Sequence, residues 1–221
     1  MTLSIIIPIL NEARALPATL SALQHSTSDA ELIVVDGGSI DDSVAIAGQY
    51  GATVLNTAAG RARQMNLGAK QASGDYLLFL HADTRLPANV EPVIRSALAR
   101  HDWGRFDVII SGQHPMLKVI GFMMNWRSRL SGIATGDQAL FIRRETFSAV
   151  GGFPEQDLME DIALSQRLKH LGSPACLKQK VVTSGRRWEQ NGVWRTIWLM
   201  WRLRFAYWRG ACPSQLARRY H

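Results

Sequence analysis

The sequence predicts an α/β fold with a mostly parallel central sheet flanked by helices, and an amphipathic helix appended at its C-terminal end. Three observations carry this. Strand-like and helix-like patterns alternate through the first 83 residues, and such alternation means parallel strands joined by crossover helices. The strand segments are continuous β-branched apolar runs, as strands buried on both faces require. Beyond residue 190 the composition shifts to a tryptophan- and arginine-rich helical pattern.

The elements follow in order. "LSIIIPI" (3–9) is the first strand and "EARALPATLSAL" (12–23) the first helix. "ELIVVD" (31–36) is the second strand, followed by a helix in "DSVAIAGQYG" that Gly51 stops. "ATVLN" is a short third strand, "RARQMNLGAKQAS" a helix, and "DYLLFL" the fourth strand. The second half is less regular: a strand in "DVIISG", an apolar helix over 116–130, then a strand, short helix and glycine turn in "DQALFIRRETFSAVGGF". A helix in "EDIALSQRLKHLG", a strand in "ACLKQKVVTSG" and a helix over about 192–209 complete the chain. The division expected is one domain, 1–190, and a basic tail, 191–221.

The 221 residues suffice to bury a core, and 47% hydrophobic against 19% charged residues argues against disorder. Cys176 and Cys212 form no metal-type cluster and read as two free thiols of a reducing compartment. The opening residues lack the basic region of a signal peptide, and no run of about 18 uncharged apolar residues occurs. A cytoplasmic protein is expected. Eight arginines and one glutamate lie in 186–221, so the tail holds the entire net charge of +7. Anionic partners suit it.

In open parallel sheets, ligands bind at the carboxyl ends of the strands. That rule selects Pro8 to Glu12, Asp36 to Asp42, Thr57 to Arg61, and His81 to Asp83. Asp36 precedes "GGSIDDS", in which Gly37 and Gly38 allow close approach of a ligand; the acid either caps its turn or accepts hydrogen bonds from a base or ribose. Asp83 ends the fourth strand. It either caps the turn before Pro87 or binds a hard divalent ion whose shell a diphosphate completes. His81 alternates with Asp83 and shares its side of an extended backbone. Glu160 and Asp161 open a helix, where the dipole favours acids and where a general base can face a site. Arg186 and Arg187 follow a strand, as a solvated loop or a phosphate fork.

Together these segments resemble family 2 glycosyltransferases, which have the GT-A fold. "SIIIPILNEA", "IVVDGGSIDDS", "GRARQMNLGAKQASGDYLLFLHADTRLP" and "GGFPE…LMEDIALSQRLKHLG" occur in the family's order, and the resemblance runs to about residue 190. It implies an inverting hexosyl transfer from a nucleotide-sugar, most often a UDP-sugar, to an acceptor hydroxyl. Pro8, Asn11, Glu12 and Gly38 would line the nucleotide pocket, Asp36 would bind the base, and Arg61 would approach the nucleotide or its phosphates. Asp83 would hold Mn²⁺ or Mg²⁺ on the diphosphate. Asp161 would be the general base with Glu160 beside it. Arg186, Arg187 and Trp188 resemble an Arg-Trp loop that closes on the diphosphate in some members. The family's metal motif is usually Asp-x-Asp, and His81 replaces its first acid. "HAD", "GDQALF" and "MED" resemble most closely a short bacterial subgroup labelled for arsenosugar biosynthesis.

In the tail, Trp194, Trp198, Trp201, Phe205 and Trp208 share one helical face, edged by Arg195, Arg202 and Arg209. Leu199, Leu203 and Ala206 occupy the other. The aromatic face suits a membrane interface, which would make the protein peripheral to the inner face of the cytoplasmic membrane, or it suits a dimer partner. An uninterrupted apolar stripe without a nucleic-acid motif disfavours nucleic acid. Two other functions compete with glycosyl transfer. A nucleotidyltransferase would carry a glycine-rich basic loop after its first strand, and "PILNEARALP" has no glycine. A catalytically silent nucleotide-sugar or membrane-surface binding protein would account for His81 but not for the retained acids.

Overall fold

A computed structural model describes every residue except Met1, Ser28 and His221. Strand β1 (Leu3–Ile9) lies between β2 (Glu31–Asp36) and β4 (Tyr76–Phe79), parallel to both, and β3 (Thr53–Asn56) extends the parallel half beyond β2. Helices α1 (Leu16–Ser26), α2 (Ser43–Gln49) and α3 (Arg61–Gln71) make the crossovers. Both faces are buried, as the apolar runs demand. Ile5, Ile7 and Ile9 enter one core cluster with Leu16 and Leu20, while Ile6 enters the other with Ile33, Met65 and Phe79.

The second half makes the sheet mixed. It contributes β5 (Thr84–Arg85), β6 (Trp103–Ser111), β7 (Phe141–Arg143) and β8 (Ala175–Ser184), in the overall order β3-β2-β1-β4-β7-β6-β8-β5. Strand β7 runs antiparallel to β4 and β6, and β5 antiparallel to β8. The helices of this half are α4 (Val90–Leu98), α5 (Met116–Ser131), α6 (Arg144–Ala149), α7 (Glu160–Lys169), α8 (Arg186–Asn191), α9 (Val193–Trp208) and α10 (Pro213–Tyr220). The sequence reading does not assign α4, β5 or α10. It also starts α1 too early. Residues 12–15 are a turn closed on the Glu12 carbonyl, and the helix begins where Pro17, which has no N–H to donate, falls in its first turn.

The tail docks by one face. Val193 joins the main core with Leu117 and Ile120 of α5, and Leu203 packs with Leu158, Met159 and Leu216. Among the described residues, no helix is long and apolar enough to cross a membrane.

Two features shape the carboxyl ends of the strands. The Ile6 carbonyl accepts from Leu80 N–H and the Ile9 carbonyl from Gly37 N–H, so alternate residues of β1 face β4 and β2. Pro8 shares Ile6's side, beyond the point where the β4 ladder stops, so its missing N–H costs no pairing there. Buried Gln64 of α3 then donates through one amide nitrogen to the carbonyls of Ile9 and Val35, 2.8 Å each. Gln64→Leu is expected to lower stability by about 1–3 kcal/mol through two lost bonds in a dry site, read as a lower urea midpoint at unchanged m-value.

Candidate active site

The first two loops are stitched to each other rather than held independently. Asn11, at φ 55°, donates from its N–H to Ser39 Oγ, and its side-chain oxygen accepts from Ile40 N–H, both at 2.9 Å. Glu12 N–H donates to Ser43 Oγ at 2.8 Å and Ala13 N–H to Asp41 at 3.1 Å. Asp36 is buried, and its carboxylate accepts from Gly38 N–H, Ser39 N–H and the Ser39 hydroxyl. Of the two readings of Asp36, the turn-forming geometry is present: the acid shapes the concave loop at the tip of β2. Gly38 takes φ 96°, which only glycine adopts without strain.

The second group forms around Asp83. Burial pushes the Glu12 carboxyl above the usual range, and Asp83's charge adds to it, against Arg186 and His81. Arg186 Nη2 lies 3.7 Å from the Glu12 carboxylate. Glu12, His81, Asp83 and Arg186 therefore share one electrostatic neighbourhood at the switch between β1 and β4. Among the described residues, no three His, Cys, Asp or Glu side chains are grouped to hold a metal ion alone. The carboxylates of Glu12 and Asp83 nonetheless suit a hard cation that takes its remaining oxygens from a substrate diphosphate.

The third group sits at the N-terminus of α7. Met159 takes φ 66° and turns the chain so that Glu160 and Asp161 point inward. Arg61 Nη1 reaches the buried Glu160 carboxylate at 3.3 Å. Asp161 accepts from Gly136 N–H at 2.9 Å and from Ile162 N–H at 2.7 Å. Burial, then the charge of Glu160, pushes Asp161 up to about 6, against the Gly136 bond and Arg61.

The sequence reading missed Asp137, which links the second and third groups. Its carboxylate lies 3.3 Å from His81 Nδ1. Burial works against its ionisation, but the His81 hydrogen bond and the charges of His81, Arg61 and Arg127 hold it below the usual carboxylate range. Gly136 has to be small here, because a Cβ would collide with His81 Nε2. Position 81 thus has no acid of its own, but one arrives from the turn before β7. The only sequence signal was the Gly-Asp pair in "GDQALF".

The Arg-Trp segment differs from the expected loop. Residues 186–191 are helix α8, started from a Gly185 that lies too close to the Ser111 carbonyl to carry a side chain. Arg186 faces Glu12, but Arg187 turns away to Tyr220, donating to its carbonyl at 2.9 Å and stacking on its ring at 3.7 Å. Trp188 is partly buried against the main core.

A family profile described as Glycosyl transferase family 2 matches residues 4–151, more than half of the chain, from β1 through α6. The chain belongs to glycosyl transferase family 2. Among family relatives, a PGL/p-HBAD biosynthesis glycosyltransferase of Mycobacterium tuberculosis is 42% identical over 91 residues, covering 38% of this chain and 36% of that protein. An undecaprenyl-phosphate 4-deoxy-4-formamido-L-arabinose transferase of Pseudomonas savastanoi pv. phaseolicola is 28% identical over 158 residues, covering 63% and 46%. The matches thus span less than half the length of these relatives. The fold is GT-A. It superposes on Staphylococcus aureus TarS 1-349 in complex with UDP with a TM-score of 0.68, at 19% identity, covering 83% of this chain and 60% of that one. It also superposes on a Pyrobaculum calidifontis mannosyltransferase with GDP-Man and Mn²⁺, TM-score 0.67, 20% identity, covering 92% and 60%.

The raised Asp161 makes stability pH-dependent in this family 2 member. The folded state holds that proton more tightly than the unfolded chain does, so the stabilisation is complete below about pH 4 and is lost as pH rises to about 6. Asp161→Asn is expected to remove this decline, measured as the difference in urea midpoint between wild type and variant from pH 4 to 7.

Proposed function

We propose that this chain is an inverting glycosyltransferase that moves a sugar from a nucleotide-sugar, a UDP-sugar by preference, to an acceptor hydroxyl. The observation that carries the reading is Asp161: a carboxylate raised toward neutrality, joined through Gly136 and Asp137 to His81 and the Asp83 turn. TarS with UDP and the mannosyltransferase with GDP-Man support a nucleotide-sugar donor on this fold.

The chemistry follows from the residues. The nucleoside lies on the loop formed by Asn11, Asp36 and Gly38. Arg186 and Arg61 supply positive charge for a diphosphate whose negative charge grows as the sugar leaves. Asp83, with Glu12 beside it, would hold a divalent cation, which when bound supplies Lewis-acid stabilisation of that diphosphate. Asp161 accepts the proton of the acceptor hydroxyl as its oxygen bonds to the anomeric carbon and the sugar–diphosphate bond breaks. A base so placed is worth roughly 10²- to 10⁴-fold. Burial, with the charge of Glu160 adding to it, keeps Asp161 a stronger base than an ordinary carboxylate, while Arg61 holds Glu160 beside it. One displacement with no covalent intermediate inverts the anomeric centre.

The surface supports a membrane-facing placement of the site. Trp198, Trp201 and Trp208 of α9 are 61%, 72% and 78% exposed, and Phe122 and Trp126 of the neighbouring α5 are 66% and 53% exposed. Arg202 lies over the Trp198 ring and Arg209 over Phe205, as expected of a face that meets anionic headgroups.

Three measurements test these readings. UDP-sugars with Mn²⁺ are expected to raise the melting temperature of the wild type and of Asp161→Asn, while Asp83→Ala loses the Mn²⁺-dependent part of the shift; Asp161→Asn is expected to drop transfer at least 10²-fold in a donor-consumption assay. Unchanged turnover in that variant would place the base elsewhere. Trp198→Ser with Trp201→Ser is expected to abolish co-sedimentation with phosphatidylglycerol-containing vesicles without changing the UDP-sugar shift.

A further inference from the structure

A groove of about 670 Å³ opens on the acceptor side, between α5, α7 and the end of α9. Ile162, the residue after Asp161, and Trp208, the last ring of the exposed aromatic face, both line it. Arg127 of α5 and Arg204 of α9 line it as well. Both carry buried donors without an acceptor: Nε and Nη2 of Arg127 and Nε of Arg204 have no hydrogen-bond partner among the described residues.

Buried guanidinium donors without acceptors are a standing cost, because each gave up water on folding and gained nothing in return. Burial accordingly pulls Arg127 below its usual range, and among the described residues the carboxylates acting on it electrostatically are Asp161 and Asp137. Neither hydrogen bonds to it. The planar forks of two arginines match the several oxygens of one oxyanion, and a phosphate offers more acceptors than a carboxylate. The rest of the lining includes Ile162, Tyr207 and Trp208, which suit an apolar chain continuing outward.

The geometry points to a site for a phosphate-bearing amphiphile, its phosphate held by Arg127 and Arg204 and its chain leaving past Trp208. On the reading of Asp161 as the base, this amphiphile is the acceptor. The phosphate is then a binding handle, and a separate hydroxyl of the same molecule reaches Asp161. Arg127 and Arg204 are positioning residues in this arrangement.

Isothermal titration of the full chain with octyl phosphate below its micellar concentration tests the site. The wild type is expected to bind octyl phosphate, and Arg127→Gln and Arg204→Gln each to weaken it at least tenfold. Lys178→Gln, an exposed charge on β8, is expected to leave it unchanged. Octanol and inorganic phosphate should each bind at least tenfold more weakly than octyl phosphate. The site is overturned if the wild type does not bind, if either arginine variant binds normally, or if Lys178→Gln weakens binding equally. It is also overturned if octanol matches octyl phosphate, which would mean an apolar groove alone, or if inorganic phosphate does, which would mean a free-phosphate site. Melting shifts with UDP-sugar on the same samples confirm that the variants fold. They also separate the two claims, because a wild type that binds octyl phosphate but no nucleotide-sugar keeps the groove and loses the transferase reading.

Discussion

The tip of the sheet depends on the side-chain amide of Gln64. Strands β1 and β2 end side by side, and the Ile9 carbonyl takes a single backbone donor there, Gly37 N–H. By bonding to both Ile9 and Val35, Gln64 fixes the spacing from which two loops depart. Those loops then pair with each other through Asn11, Ser39, Asp41 and Ser43. The concavity is therefore preformed, which suits a site that has to receive a flexible, charged ligand.

Charge is arranged around that frame in alternation. Arg186 faces Glu12, His81 faces Asp137, and Arg61 faces Glu160. Glu12 and Asp161 stay above the usual range all the same: burial and the charge of Asp83 outweigh Arg186 and His81 at Glu12, and burial and Glu160 outweigh the N–H donors and Arg61 at Asp161. Local backbone cost gathers at the same place. Among the described residues, three of the four non-glycine positions with positive φ, Asn11, Ala139 and Met159, flank the segments that carry these groups; the fourth, Asn89, starts α4.

Much of this was readable in the sequence. Apolar runs give strands, and alternation with helical spacing gives the parallel half, because both are local consequences of burial on two faces. Asp36, Asp83 and Arg61 were legible because they stand at strand or helix ends. Gln64 was not, because a polar residue inside an amphipathic helix carries no sign of whether it meets water or two buried carbonyls. Asp137 was hidden for a similar reason: it comes near His81 only through the antiparallel insertion of β7, a pairing that no local pattern announces. Helix α8 was mistaken for a loop because its start depends on the close approach of Gly185 to Ser111, a tertiary contact.

The packing of His81 on Gly136 makes those positions a single unit. An imidazole fits at 81 because residue 136 has no side chain, and it stays oriented because Asp137 follows immediately. Restoring the shorter aspartate at 81 would therefore do more than add a charge. It would leave a hole over Gly136 and set a like charge beside Asp137. Engineering a conventional metal motif into this chain is a problem of non-additive substitutions, in which 81, 136 and 137 have to be exchanged together.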